Sequence, residues 1–212
     1  MWKLFKKFFK PLTQKPLKII ILASGRGSNF IALHEAIIKK QLQAEIVMLI
    51  SDKPKAPALK LAQERGIRTQ ALDYHNFNNK QDYEIELFRI LKAEKFDYLI
   101  LAGYMRILGK EIVQAFKQRI INIHPSLLPS FKGLHPQRQA LQYGVKISGC
   151  TIHFVDEGVD TGPIILQRAV EVLPDDTEAS LAKRILAVEH QAYPQALALL
   201  TKKIEAASLN KS

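Results

Sequence analysis

The feature that most narrows the fold is an apolar run, Leu17 to Ala23, that passes straight into Ser24-Gly25-Arg26-Gly27-Ser28-Asn29 and then into a helical pattern from Phe30 to Ile38. Strand, glycine turn and helix in that order open a doubly wound α/β unit. The two glycines permit a tight turn, and the start of the following helix offers free N–H groups and the positive end of its dipole to an anion. Gly27, Ser28 and Asn29 are therefore candidate phosphate ligands. The loop is neither a GxGxxG fingerprint nor a Walker motif, because no Gly-Lys-Ser/Thr follows. An Asn or Ser that merely caps the helix is the plainer reading of the same residues.

The alternation continues. Strands are expected at Glu45–Ser51, Ile67–Leu72, Tyr98–Leu101 and Ile120–Ile123, with helices at Ala56–Arg65, Gln81–Glu94 and 111–117. Tyr98–Leu101 is apolar without alternating, as a strand covered on both faces is. A helix over Leu134–Gln142 is interrupted at its start by Pro136. Beyond it Ile147–Phe154 and Ile164–Val170 alternate loosely around an acidic turn, which suggests an antiparallel pair. Pro174-Asp175-Asp176-Thr177 caps a last helix from about Glu178 to Leu200, with Pro194 as a kink point, and the tail from Glu205 reads as frayed. The expected architecture is a single-domain, Rossmann-like α/β fold. Its sheet is mostly parallel and twisted, has helices on both faces, and gains an antiparallel extension near the C-terminal part. Residues 17–203 form that domain, preceded by a basic amphipathic extension over 1–16 and followed by a polar tail over 204–212.

Charge needs dissecting before it is assigned a partner. The net charge is +11 over 212 residues, but Lys3, Lys6, Lys7, Lys10, Lys15 and Lys18 supply six of those charges with no acid among them. The mild excess on the body suits anionic small-molecule substrates, and no basic run interleaved with aromatics points to nucleic acid. In residues 1–10, Trp2, Leu4, Phe5, Phe8 and Phe9 oppose four lysines. That pattern fits a weak membrane-surface or protein contact, set against the plainer reading of a frayed basic tail. One cysteine, Cys150, excludes a disulfide framework and a cysteine-rich zinc site, and suits a reducing, cytoplasmic setting. No spanning helix is expected. The chain length is compatible with a monomer or a homodimer.

The chemistry concentrates in Asn122-Ile123-His124-Pro125-Ser126-Leu127-Leu128-Pro129. Here a buried strand opens into a loop, at the strand end where α/β sheets bind ligands. Six histidines, at 34, 75, 124, 135, 153 and 190, show no metal-ligand spacing, so no metal is expected. Cys150, between Gly149 and Thr151 in a strand, reads as an inert buried thiol. The workable constellation is Asn122, His124 and one acid among Asp156, Glu157 and Asp160. An imidazole can relay a proton or donate to an oxyanion, a carboxamide adds an uncharged donor, and a carboxylate can orient the ring. Such groups serve acyl-type transfer to an amine or hydrolysis alike. Gly103 in Ala102-Gly103-Tyr104-Met105-Arg106-Ile107-Leu108 allows close approach of a ligand, with Tyr104 and Met105 as candidate walls of a flat pocket.

Those stretches, together with His153-Phe154-Val155, Asp160-Thr161-Gly162-Pro163 and Glu189-His190, resemble the folate-dependent phosphoribosylglycinamide formyltransferases over about residues 17 to 200. The resemblance implies formyl transfer from 10-formyltetrahydrofolate to the amine of N1-(5-phospho-D-ribosyl)glycinamide, a step of purine (IMP) biosynthesis. It implies Asn122, His124 and Asp160 as the catalytic three, Gly27, Ser28 and Asn29 at the phosphate, and Glu189 at the ribose. Folate contacts would come from Lys80, Met105, Arg106, Ile107 and Leu108, and from Asp156, Glu157, Gly158 and Val159. The family commonly has arginine in a Ser-Arg-Glu pattern where this chain reads Asn79-Lys80-Gln81, and lysine lacks the bidentate fork. Methionyl-tRNA formyltransferase and formyltetrahydrofolate hydrolase share the central motif. Both ordinarily carry an additional domain for which these 212 residues leave no room. A non-catalytic nucleotide-binding module would have no need of the Asn122 and His124 pairing.

Overall fold

The computed structural model describes residues 15–209, with side chains through Thr201. The basic stretch over residues 1–14, with its membrane or partner contact, lies outside the described residues. The first seven strands and helices are β1 (Leu17–Leu22), α1 (Ser28–Ile38), β2 (Ala44–Ser51), α2 (Pro57–Gln63), β3 (Thr69–Ala71), α3 (Lys80–Ala93) and β4 (Tyr98–Leu101). There follow α4 (Lys110–Ala115), β5 (Ile120–His124), α5 (Pro136–Tyr143), β6 (Ile147–Phe154), β7 (Ile164–Glu171) and α6 (Glu178–Leu209).

The strands form one seven-stranded sheet in the order β3-β2-β1-β4-β5-β6-β7. β1 pairs in parallel with β2 and β4, β2 with β3 and β4 with β5, while β6 and β7 join antiparallel. The expected mostly parallel sheet with an antiparallel extension is what forms, and β1 lies inside it. Alternate side chains of β1 explain its continuous apolar sequence. Ile19 and Ile21 pack with Phe30 and Leu33 of α1, Ala58 of α2 and Tyr193 and Leu197 of α6. Ile20 and Leu22 pack on the opposite face with Tyr83, Leu87 and Leu91 of α3 and Ile112 of α4. Each of those four β1 residues is fully buried. Burying one such aliphatic side chain is worth about 1.5–3 kcal/mol.

Several elements differ from the sequence reading, β3 among them, which shortens from Ile67–Leu72 to Thr69–Ala71. α5 starts at Pro136 instead of Leu134, because proline has no N–H to donate and suits the first helical position. Residues 74–76 of the expected 73–79 loop form a 3-10 turn capped by Asp73, whose side chain accepts from the His75 N–H. α6 runs past Leu200 to Leu209, through Pro194 and through the part expected to fray. Among the described residues no helix is long and apolar enough to cross a membrane.

This topology positions the site. After β1 the chain crosses to β2 and β3 on one side, then returns to β4 and β5 on the other. The connections that leave β1 and β4 therefore run in opposite directions, and a crevice opens where the strand order reverses.

Candidate active site

The loop after β1 occupies one half of that crevice. Gly27 caps α1 in the left-handed region (φ 78°), and a Cβ there would sit 2.8 Å from the Ala58 Cβ, so only glycine fits. Ser28 begins the helix. Asn29 is buried, and its Nδ2 donates to Glu189 Oε2 of α6 at 2.9 Å. The sequence placed these two residues at different parts of a ligand; the fold puts them in contact. Burial pushes the Glu189 carboxyl from its ordinary 4.5 up to about 7, with the Asn29 hydrogen bond pulling the other way. The Asn29 amide is turned inward, so the donors facing an anion are the backbone N–H groups of the first helical turn.

The loop after β4 forms a second wall and is tied to the first. Ser24 N–H donates to the Gly103 carbonyl at 3.1 Å, and Ser24 Oγ accepts from Met105 N–H at 2.9 Å. Gly103 has φ 74°. Tyr104, expected to line a pocket, does so from a buried position where its hydroxyl pairs with that of Tyr83 at 2.7 Å. Burial raises both phenols, Tyr83 to about 12. Met105 and Ile107 are 70% and 65% exposed at the cleft mouth, an apolar rim of the kind that binds flat ligands. Arg106 Nε donates to the buried Asp52 at 2.8 Å, and its guanidinium lies 3.3 Å from the Tyr74 ring centre. Leu108 is buried at the back of the same cleft.

Between this wall and the β6–β7 turn lies a cleft of about 360 Å³. Asn122 and His124 enter it from the end of β5, and Asp156, Glu157, Gly158, Val159 and Asp160 from the turn. Of the three acids left open by the sequence, only Asp160 reaches the imidazole, with Oδ2 3.3 Å from His124 Nδ1. Asp156 instead accepts from Gly158 N–H and the Thr161 hydroxyl within its own turn. Glu157 points outward to Lys110 and Gln114 of α4. Asp160 adopts φ 52°, and Gly133 N–H donates to it at 2.9 Å. His124 is buried, and its Nε2–H donates to the Phe131 carbonyl at 2.9 Å. Both ring nitrogens thus face acceptors.

Lys80 lies elsewhere. It pairs with Glu84 at 3.4 Å and lines a neighbouring hollow of about 280 Å³, across the 104–108 loop from His124. Cys150 is fully buried and its thiol is pushed up to about 12 by that burial, in keeping with an inert group.

His153 is the site residue to which the sequence reading gave no role. It stands opposite Asn122 in the β5–β6 register, and Asn122 Nδ2 donates to His153 Nε2 at 3.3 Å. His153 Nδ1–H donates to the Phe154 carbonyl at 2.9 Å, which fixes the neutral tautomer. Burial lowers this histidine below the usual imidazole range, opposed by the Phe154 hydrogen bond and the charge of Asp160. The available signal was that His153 sits in a strand next to the turn carrying the acids. The antiparallel register that brings it to Asn122 is not visible in a single strand.

Fold and site together define a Rossmann-like α/β protein with an imidazole, a carboxamide and a carboxylate converging beside a phosphate-type loop. The formyl transferase family model matches residues 17–197, and the chain belongs to that family. It is 40% identical over 180 residues to the phosphoribosylglycinamide formyltransferase of Bacillus subtilis strain 168, covering 85% of this chain and 92% of that one. It is 48% identical over 193 residues to the trifunctional purine biosynthetic protein adenosine-3 of Drosophila melanogaster. That match covers 90% of this chain but 14% of the fly protein, so the chain spans about a seventh of that relative's length. Among solved structures, glycinamide ribonucleotide transformylase 1 from Symbiobacterium toebii superposes with a TM-score of 0.86 at 42% identity, covering 90% of each chain.

Proposed function

We propose that the protein transfers the formyl group of 10-formyltetrahydrofolate to the amine of N1-(5-phospho-D-ribosyl)glycinamide, yielding the N2-formyl product and tetrahydrofolate in purine biosynthesis. The observation that carries this reading is the His124 ring, buried at the cleft and held between Asp160 and the Phe131 carbonyl, with Asn122 alongside. In this reading the ribonucleotide phosphate sits at Gly27, Ser28 and Asn29, with Glu189 at the ribose. The pterin enters the cleft between residues 105–108 and 156–159, and Lys80 meets the far end of the folate.

The substrate amine attacks the formyl carbon directly. A new N–C bond forms, the carbonyl oxygen takes up negative charge, and collapse breaks the bond from the formyl carbon to folate N10. Asn122 donates to the developing oxyanion through the amide N–H not held by His153, and His124 joins it as its Nε2–H turns from the Phe131 carbonyl to the oxyanion. Asp160 orients His124 and helps move the proton lost by the amine toward the departing N10, which gains one. No side chain here serves as a covalent nucleophile. Cys150 is buried, and the Ser126 hydroxyl donates to the Ser130 carbonyl at 2.6 Å.

The test is the fate of the formyl group with both substrates present. Formylglycinamide ribonucleotide is the expected product. Formate in its place would assign the site to hydrolysis, which needs the same three groups, and a trapped formyl-enzyme adduct would refute direct attack.

A further inference from the structure

The loop that follows His124 is held by a strand that never touches the cleft. In the sheet, His124 of β5 pairs with Thr151 of β6, and Thr151 pairs with Gln167 of β7, so the three residues form one rank running out to the edge strand. Thr151 is fully buried. Its hydroxyl donates to the Ser126 carbonyl at 2.7 Å and accepts from Leu128 N–H at 3.0 Å. Gln167 Nε2 donates to the Leu128 carbonyl at 2.8 Å and to the Thr151 hydroxyl at 3.0 Å.

The donor count closes. A threonine hydroxyl has one proton and two lone pairs, and an amide nitrogen has two protons; all of them are used. Leu128 has both of its backbone polar groups satisfied by this pair of side chains. Three residues further on, Phe131 presents the carbonyl that accepts from His124 Nε2. The segment 126–131 is thereby fixed at Ser126 and Leu128 by Thr151 and Gln167, and its far end sets the tilt of the imidazole.

We infer that Gln167 is a positioning residue for formyl transfer. Acting with Thr151, it fixes the 126–131 loop and through it the orientation of His124, although it lies on the edge strand outside the cleft. The ordinary expectation for a polar residue on an edge strand is that it faces water and contributes little. The two bonds from a single Nε2, one to the Leu128 carbonyl 39 residues away in sequence and one to the Thr151 hydroxyl, argue otherwise, since an unmade bond at the buried Leu128 carbonyl leaves that acceptor without a partner. A displacement near 1 Å at a catalytic group is enough to cost on the order of a hundredfold in rate.

The inference rests on the formyl-transfer reading, and the experiment separates the two. The full chain carrying Gln167→Leu is compared with wild type for kcat, for KM of each substrate, and for hydrogen exchange at the Leu128 amide. The expected result is a kcat lower by about ten- to a hundredfold with little change in either KM, together with faster Leu128 exchange. Thr151→Val should lose kcat in the same way, and Thr151→Ser, which keeps the hydroxyl, should restore it. Should wild type release formate, the transfer reading fails, and the same kcat comparison on formate release still tests the clamp. Unchanged kcat in Gln167→Leu, whatever Thr151→Val does, or loss confined to KM, overturns the inference. So does equal loss in Thr151→Ser and Thr151→Val.

Discussion

Glu189→Gln is the perturbation whose size follows most directly from the structure. The carboxyl is buried between α1 and the core, and its described hydrogen bond comes from Asn29. Burial raises it from 4.5 to about 7. An acid raised in this way keeps its proton in the folded protein over a range where the unfolded chain has already released it. The folded state then binds more protons, and stability falls as pH climbs from 4.5 toward about 7, levelling off above. At about 1.4 kcal/mol per pH unit, the loss across that window is on the order of 3 kcal/mol. Glutamine keeps the acceptor for Asn29 and cannot ionise. The variant should therefore match wild type near pH 4 and exceed it by up to about 3 kcal/mol at pH 8, a melting difference of roughly 6–12 °C for a chain of this size. Urea or thermal melts of both proteins across pH 4 to about 8 provide the assay. The informative quantity is the difference between the two curves, since other carboxylates titrate equally in both. Curves that stay parallel over the whole range would refute a buried, proton-holding Glu189.

His124→Ala and Asp160→Asn should each lower kcat by about a hundred- to a thousandfold with modest change in KM. The double variant should lose less than the product of the single losses, because the pair acts as a unit; steady-state kinetics on all three proteins decides it. Asn29→Asp sets a second carboxylate against Glu189 at the phosphate loop, and calorimetric titration should show ribonucleotide binding weakened by at least about tenfold while folate binding changes far less, like-charge contacts costing several kcal/mol. Equal weakening of both would make the loop structural. Deleting residues 1–14 should leave turnover and unfolding free energy almost unchanged; a loss of several kcal/mol in denaturant melts would show that Trp2 and its phenylalanine neighbours pack on the domain.

Much of this architecture is written in short-range patterns. β1, its glycine turn and α1 are legible because the apolar run, the Gly25 and Gly27 punctuation and the helical spacing all lie within about twenty residues. β4 is legible to the residue, being four apolar positions between Asp97 and the Ala102-Gly103 turn. The later strands betray their antiparallel setting by alternation. What the sequence withholds is pairing across distance. Three acids in one turn are equivalent on paper; a left-handed φ at Asp160 and the Gly133 N–H bring only that one to His124. The resemblance implies Lys80 as a folate contact, and its pairing with Glu84, one helical turn on, appears only in the structure. Arg106 likewise reads as a ligand residue, and the structure shows it already committed to Asp52 and Tyr74. The contact between Asn29 and Glu189 spans 160 residues, and no local signal encodes it.

The two buried histidines of the cleft show how one residue type is given two tasks. His153 donates from Nδ1 to Phe154 and receives from Asn122 at Nε2, so its two hydrogen bonds suit the neutral ring even with Asp160 Oδ1 3.7 Å from Nε2. Burial reinforces that state. The consequence falls on Asn122: one N–H of its amide is spent on His153, which sets the plane of the group and leaves the second N–H for the cleft. His124 has the opposite surroundings. Phe131 and Asp160 offer an acceptor at each nitrogen, and one ring proton cannot serve both. In the proposed reaction, the ring backed by the carboxylate is the one suited to take and hand on a proton, while its neighbour must not compete for it. A second positive ring next to the first would oppose that step, and a histidine kept neutral by its burial removes the opposition. The division of labour rests on two backbone carbonyls, of Phe154 and Phe131, and on the Asp160 carboxylate; of the three, only the carboxylate is a group that a sequence motif marks by its side chain.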